Sequence, residues 1–154
     1  MLRAARQIAR TAHADQTDKA GAPYIGHPAR VAALAVASAT SPADMELLAA
    51  TAWLHDVPED TAVTSADLRA YGIPETVIAA VTALTRRPAE ADDTYYVRVA
   101  ADSLALRVKL ADIADNTSPE RLGQLDAATR SRLEAKYGHA RTTLERLAPQ
   151  TTVT

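Results

Sequence analysis

The sequence predicts an all-α protein folded as a single-domain helical bundle, and three observations carry that reading. Alanine and leucine, strong helix formers, dominate the periodic segments. Glycine numbers only 5, so backbone breakers are few. Alternation of β-branched or aromatic residues at period two is sustained nowhere, which leaves strands without support. At 154 residues the chain suits one domain with a real hydrophobic core. The expected boundaries are 1–148 for the domain and 149–154 for a flexible tail.

The helices follow in order. The first spans residues 2 to about 14 and runs into a polar loop, DQTDKAGAPYIG, broken by glycine and proline. His27-Pro28 opens the second, with Val31, Leu34 and Ala35 or Val36 on its buried side; proline suits a first helical turn. SPAD, from Ser41 to Asp44, is an N-terminal cap with proline just inside, and it starts a third helix through MELLAATAWLHD. A short helix over 65–71 ends at Gly72, and PETVIAAVTALT forms another over 74–85. Two more cover 94–101 and 104–116, and a long last helix over 126–147 stops before Pro149.

Composition removes several functions. A net charge of −2 offers no strongly basic face, so nucleic acid is not an expected partner. The absence of cysteine removes disulfides, thiolate metal sites and cysteine nucleophiles, and fits a reducing cytoplasm. No stretch of some 18 unbroken apolar residues offers a membrane span. The N-terminal MLRAARQIARTAHA has arginines at helical intervals without the apolar core of a signal peptide, so it reads as the first helix and the expected location is cytoplasmic. The sequence does not specify an oligomeric state.

Three stretches carry chemistry. LHDVPEDT, from Leu54 to Thr61, ends an apolar helix in His55-Asp56 and adds Glu59 and Asp60. Adjacent helical residues point about 100° apart, so His55 and Asp56 reach a common point only off the helix flank. A metal ion about 2 Å from each ligand atom can occupy such a point. Alone, the stretch reads equally as a helix C-terminus with a dipole-favoured histidine and a solvated acidic loop. In VKLADIADN, from Val108 to Asn116, Lys109, Asp112 and Asn116 fall at i, i+3 and i+7 and share one face, with Asp115 beside them on the helix surface. Alone, this reads as an amphipathic helix with a solvated stripe and a Lys–Asp pair. In PYIGHPARVA, from Pro23 to Ala32, His27 stands at a loop–helix boundary, where the macrodipole disfavours its protonated form and leaves the neutral imidazole that a metal takes. Alone, it reads as a capping or packing histidine.

Together these stretches bring His27, His55, Asp56 and Asp112 from three helices. A nitrogen and oxygen set without sulfur suits Mn²⁺, with Fe²⁺, Co²⁺, Ni²⁺ or Zn²⁺ as further fits. His13 and His139 lack acidic companions at ligand spacing and read as packing or surface residues.

In order along the chain, AHADQTDKAGAPYIGHPARVA, LLAATAWLHDVPEDT and RVKLADIADN resemble the HD-domain phosphohydrolase superfamily. More narrowly, they are similar to the hydrolase domain of RelA/SpoT-type proteins and their free-standing small alarmone hydrolases. The resemblance runs from the first helix to Asn116. It implies a bundle of the HD-domain type and one divalent metal ion, Mn²⁺ first, held by His27, His55, Asp56 and Asp112. It implies further that Glu59 and Asp60 orient or activate the attacking water and that Asn116 helps position substrate. Lys19 and Tyr24, in the loop before the histidine helix, would contact the nucleotide. Lys109 would face phosphate oxygens or brace the acidic face. The implied partner is a small phosphorylated nucleotide, and the implied reaction removes the 3′-diphosphate of guanosine tetra- or pentaphosphate, (p)ppGpp, as pyrophosphate. A metal ion that acidifies water, with a carboxylate to take the proton, suits that reaction. No P-loop is present and no synthetase domain fits after Asn116, so degradation alone is expected.

This chain departs from the family pattern in three places. Asp18-Lys19 stands where members often carry arginine then lysine; IADN lacks the histidine that long bifunctional members place before the asparagine; and Pro58 varies HDVPED locally. The acid at Asp18 gives weight to another phosphorylated nucleotide, such as ppApp, NADPH or a nucleoside phosphate. A catalytically silent nucleotide-binding module is the rival from another class. The Glu59-Asp60 pair argues against it, because a binder needs no water-activating carboxylate.

Overall fold

The computed structural model describes residues 1–18 and 21–149. Lys19 and, save for Pro149, the expected tail at 149–154 lie outside the described residues. Among the described residues the chain is helical, and its one strand-like feature is a bridge between Thr17 and Pro23. The helices are α1 (Leu2–Ala12), α2 (Gly26–Ala35), α3 (Pro42–Leu54), α4 (Val57–Asp60), α5 (Ser65–Ala70), α6 (Glu75–Leu84), α7 (Asp92–Ala100), α8 (Ser103–Asn116), α9 (Pro119–Leu122) and α10 (Ala127–Leu147), with a 3₁₀ turn at Val36–Ser38.

Helices α2, α3 and α8 each pack on the other two and form the centre. Around them α1 lies against α3, α6 against α3 and α8, and α7 and α10 against each other and α8. The apolar run of α3 explains its place: Leu48 through Leu54 are all buried, so the C-terminal half of this helix is covered on every side. Each fully buried leucine or valine, such as Leu48, Leu54, Val31 and Val108, contributes about 1.5–3 kcal/mol to holding the elements in register.

Local chemistry sets the helix ends nearest the site. The Ser41 side chain accepts the Asp44 N–H at 3.1 Å, which caps α3 where SPAD predicts. The other end of α3 falls at Leu54, short of the expected Asp56. Pro58 has no N–H to close onto the Leu54 carbonyl, so the helix breaks there and restarts as α4. That break puts His55 and Asp56 in the turn between two helices. Ahead of α2, the Asp18 N–H donates to the Ala22 carbonyl at 2.8 Å and the Tyr24 N–H to the Gln16 carbonyl at 2.9 Å. Gly21, at φ 81°, supplies the left-handed residue that this tight loop requires.

One buried position differs from expectation. The inward side of α2 carries His27, Pro28, Val31, Ala32 and Ala35, whereas Leu34 is 45% exposed. The stripe is centred on Val31 and Ala35, and Leu34 falls off its edge.

Candidate metal centre

Three central helices deliver the chemistry to one point. His27 comes from the first turn of α2, His55 and Asp56 from the turn after α3, and Asp112 from the middle of α8. His27, His55 and Asp112 are buried, and Asp56 is partly so. His27 Nε2 lies 3.2 Å from Asp112 Oδ1 and 3.6 Å from Asp56 Oδ2; His55 Nε2 lies 2.9 Å from Asp56 Oδ2 and 3.9 Å from Asp112 Oδ1. Ligand atoms of His27, His55 and Asp56 all fall within 4.8 Å of one another. Ligands about 2.0–2.2 Å from a common ion stand at such separations.

The hydrogen bonds around the set favour a cation. His55 Nδ1 is 2.8 Å from the Ala52 carbonyl, so it donates there, while its buried Nε2 has no well-aligned hydrogen-bond partner among the described residues. A buried ring nitrogen left without a well-aligned partner and facing two carboxylates fits a divalent metal ion. Asp112 is braced from two sides: Lys109 Nζ donates to Oδ2 at 2.7 Å and Asn116 Nδ2 to Oδ1 at 2.6 Å. The shared face of α8 therefore acts on Asp112, and the bracing reading of Lys109 is the one its geometry matches. The Tyr24 hydroxyl donates to Asp56 Oδ2.

Electrostatics corrects one expectation. The helix start predicts a neutral His27, whereas Asp112 and Asp115 favour its protonated form. Burial lowers its pKa, but hydrogen bonds to Asp112 and Asp115 outweigh burial and raise it. At His55 burial again lowers, and the charges of Asp56 and Asp112 push the imidazole up to about 9. Without a cation His55 holds a proton that a metal ion must displace. Burial raises Asp112, but the Lys109 charge and the His27 hydrogen bond hold its carboxyl well below the usual range.

Asp115 departs from expectation as well. Placed on the helix surface by its spacing, it is instead 3% exposed, with Oδ2 2.7 Å from His27 Nδ1 and Oδ1 2.6 Å from Arg30 Nε. His13 is likewise buried, its Nδ1 2.8 Å from Gln16 Oε1, whereas His139 is exposed.

A cavity of about 460 Å³ lies over the cluster, within the range of small-molecule sites. Tyr24, His27, Asp56, Glu59, Lys109, Asp112 and Asn116 line it. Glu59 is fixed by the backbone N–H of Arg86, which donates to its Oε2 at 2.8 Å. Asp60 does not line the cavity; burial and the charges of Asp56 and Glu59 raise its carboxyl pKa. The remaining wall adds Arg86, Arg121 and Lys136 with Tyr95, Tyr96 and Tyr137, none of which the sequence motifs single out. Their elements, α7, α9, α10 and the loop before α7, meet only in the folded chain.

Known proteins agree with this architecture. The chain is 38% identical over 157 residues to the guanosine-3′,5′-bis(diphosphate) 3′-pyrophosphohydrolase of Vibrio cholerae serotype O1, a match covering 96% of this chain and 21% of that relative. It is 48% identical over 67 residues to the bifunctional (p)ppGpp synthase/hydrolase SpoT of Escherichia coli K12, covering 44% of this chain and 9% of that one. The chain thus spans only a small part of these relatives. A solved structure of a metazoan ortholog of SpoT, described as hydrolysing ppGpp and playing a role in starvation responses, superposes with a TM-score of 0.76 at 23% identity. That likeness covers 96% of this chain and 86% of the other, and it establishes the fold. Among the described residues no helix is long and apolar enough to cross a membrane. Residues 24–120, which run from Tyr24 through every member of the cluster, match the HD domain. This chain belongs to the HD domain family.

Proposed function

We propose that the protein is a metal-dependent phosphohydrolase that removes the 3′-diphosphate of (p)ppGpp as pyrophosphate, through a domain over residues 1–148. The observation that carries this reading is the convergence of His27, His55, Asp56 and Asp112 beneath a cavity of about 460 Å³ walled by cations and tyrosines. The similarity to the Vibrio cholerae pyrophosphohydrolase over 96% of this chain supports the substrate class.

In this reading the four residues hold one divalent ion, Mn²⁺ first by the nature of the donors, with Fe²⁺, Co²⁺, Ni²⁺ or Zn²⁺ behind it. When bound there, such an ion would supply positive charge for the attacked phosphoryl group and would acidify a water. Glu59, held toward the cavity by the Arg86 N–H, accepts the water's proton, while Asp60, which does not line the cavity, is assigned to the water by resemblance alone. Lys109 and Asn116 keep Asp112 in place, and Asn116 also faces the substrate. Tyr24 aligns Asp56 and borders the nucleotide. Lys19 is assigned to the nucleotide by resemblance alone. Arg86, Arg121 and Lys136 supply positive field for phosphates along the wall. Attack at phosphorus is governed by positioning and charge, so these groups and one ion are sufficient. The reaction belongs in the cytoplasm, where the substrate would be met.

A second reading keeps the reaction and changes the nucleotide to ppApp, NADPH or a nucleoside phosphate. Asp18 favours it, because this acid lines the cavity where the family pattern carries arginine. The test is product analysis after purified protein and Mn²⁺ meet each compound. Pyrophosphate and GDP from ppGpp, absent with Asp112→Ala, is the expected result. Turnover of ppApp or NADPH without ppGpp would select the second reading, and turnover of none by metal-loaded protein would discard both.

A further inference from the structure

Asp115 is not among the proposed ligands, yet both of its carboxylate oxygens are engaged beside the centre. It sits three residues after Asp112 on α8 and is 3% exposed. Arg30 donates to it twice, Nε to Oδ1 at 2.6 Å and Nη2 to Oδ2 at 3.2 Å. Arg121 Nη1 lies 3.3 Å from Oδ2, and His27 Nδ1 lies 2.7 Å from the same oxygen. A buried carboxylate is costly unless its oxygens are used, and here both are.

The direction of these contacts matters more than their number. A neutral imidazole offers a lone pair at one nitrogen only while the proton stays on the other. A carboxylate at Nδ1 keeps the proton there and turns Nε2, 3.2 Å from Asp112 Oδ1, toward the centre. His55 reaches the same state through the Ala52 carbonyl, a backbone group common to every sequence. His27 relies on a side chain.

We propose that Asp115 is the positioning residue of His27, and that Arg121 ties it to the loop bearing Asp18; both points rest on the metal reading above. Arg121 Nη1 lies 3.8 Å from Asp18 Oδ2 as well as 3.3 Å from Asp115 Oδ2. Asp18 in turn accepts the Ala22 N–H at 3.0 Å within its own loop. Two positions where this chain departs from the RelA/SpoT pattern, Asp18 and Asp115, therefore meet at one guanidinium on α9. Its Nη1 links the loop to the carboxylate behind His27 as an ion pair, without a hydrogen bond.

The test titrates metal-free protein with Co²⁺, whose visible spectrum reports ligand geometry. Asp115→Asn keeps an oxygen for the Nδ1–H, and Asp115→Leu does not, while both unpair the same arginines. Asp115→Asn should bind Co²⁺ within about tenfold of the parent. Asp115→Leu should bind about 10–100-fold more weakly with an altered spectrum. Equal affinity and spectra for the two variants would overturn the positioning role, since a merely structural carboxylate would treat them alike. Arg121→Gln, which leaves the bond from Asp115 to His27 in place, should weaken Co²⁺ about threefold. Co²⁺ affinity equal to the parent's would overturn the tie through Arg121. If neither Asp115 variant folds, Arg30→Gln carries the positioning test: a loss of about threefold or more supports it, and parental affinity overturns it. Failure of the parent to bind Co²⁺ at all would remove the metal reading itself.

Discussion

Arg98 and the histidine–aspartate cluster are both charged assemblies inside a small helical protein, and they are built in opposite ways. Arg98, on α7, commits its donors to fixed partners. Nε and Nη2 reach Glu90 at 3.2 and 2.6 Å, Nη1 reaches the Thr82 and Ala83 carbonyls at 2.8 and 2.7 Å, and Nη2 also reaches Thr85 at 3.1 Å. These carbonyls end α6, so the guanidinium closes a helix C-terminus. In the cluster, by contrast, His55 Nε2 stands 2.9 Å from Asp56 Oδ2 without a well-aligned hydrogen-bond partner among the described residues. Charge satisfied internally serves the fold, whereas buried groups that converge without closing their bonds serve a ligand.

The comparison breaks or sharpens in a definite order. Asp112→Ala carries the largest effect: metal binding and pyrophosphate release should vanish together, read as metal content and turnover on one sample. Retained turnover would remove the cluster from the chemistry. Next, Glu59→Gln should keep the ion and slow turnover about 10²–10⁴-fold, because it leaves the ligands and removes the base. A normal rate there would assign the water's activation to another group. Arg98→Ala acts on the other region. Losing its carbonyl and carboxylate bonds should lower Tm by about 5–10 °C, with metal affinity unchanged within about twofold. A large loss of metal affinity would mean that the two assemblies are one.

The smallest effect is in pH. The Arg98 hydrogen bond holds the Glu90 carboxyl below its ordinary 4.5. A depressed acid adds stability above its unfolded pKa and loses it as pH falls through the folded value. The Tm gap between the parent and Arg98→Ala should therefore narrow as pH falls from 7 toward about 3. A gap that stayed constant would mean the carbonyl bonds alone carry the stabilisation.

Much of this architecture is legible in the chain, and the reasons for the rest are physical. Long periodic helices such as α3, α6 and α8 announce themselves through caps and apolar spacing: Ser41 and its proline start α3, and Pro58 ends it. Helices α4 and α9, four residues each, are too short to show a period. His27, His55, Asp56 and Asp112 stand out because three ordered motifs bring them forward together. Asp115 does not, since an acid on a helix reads as solvated until a second helix covers it. Its i+3 spacing from Asp112 was the available signal, and only the packing of α2 on α8 gives that spacing meaning. Arg86, Arg121 and Lys136 share a cavity wall without sharing any sequence pattern.

Equilibrium dialysis against Mn²⁺ tests the central claim most directly, that the unclosed cluster and no other part of the chain holds a divalent ion. One ion per chain in the parent, one in Arg98→Ala and none in His55→Ala is the result the account predicts. A His55→Ala protein, folded by circular dichroism, that holds Mn²⁺ as tightly as the parent would contradict it.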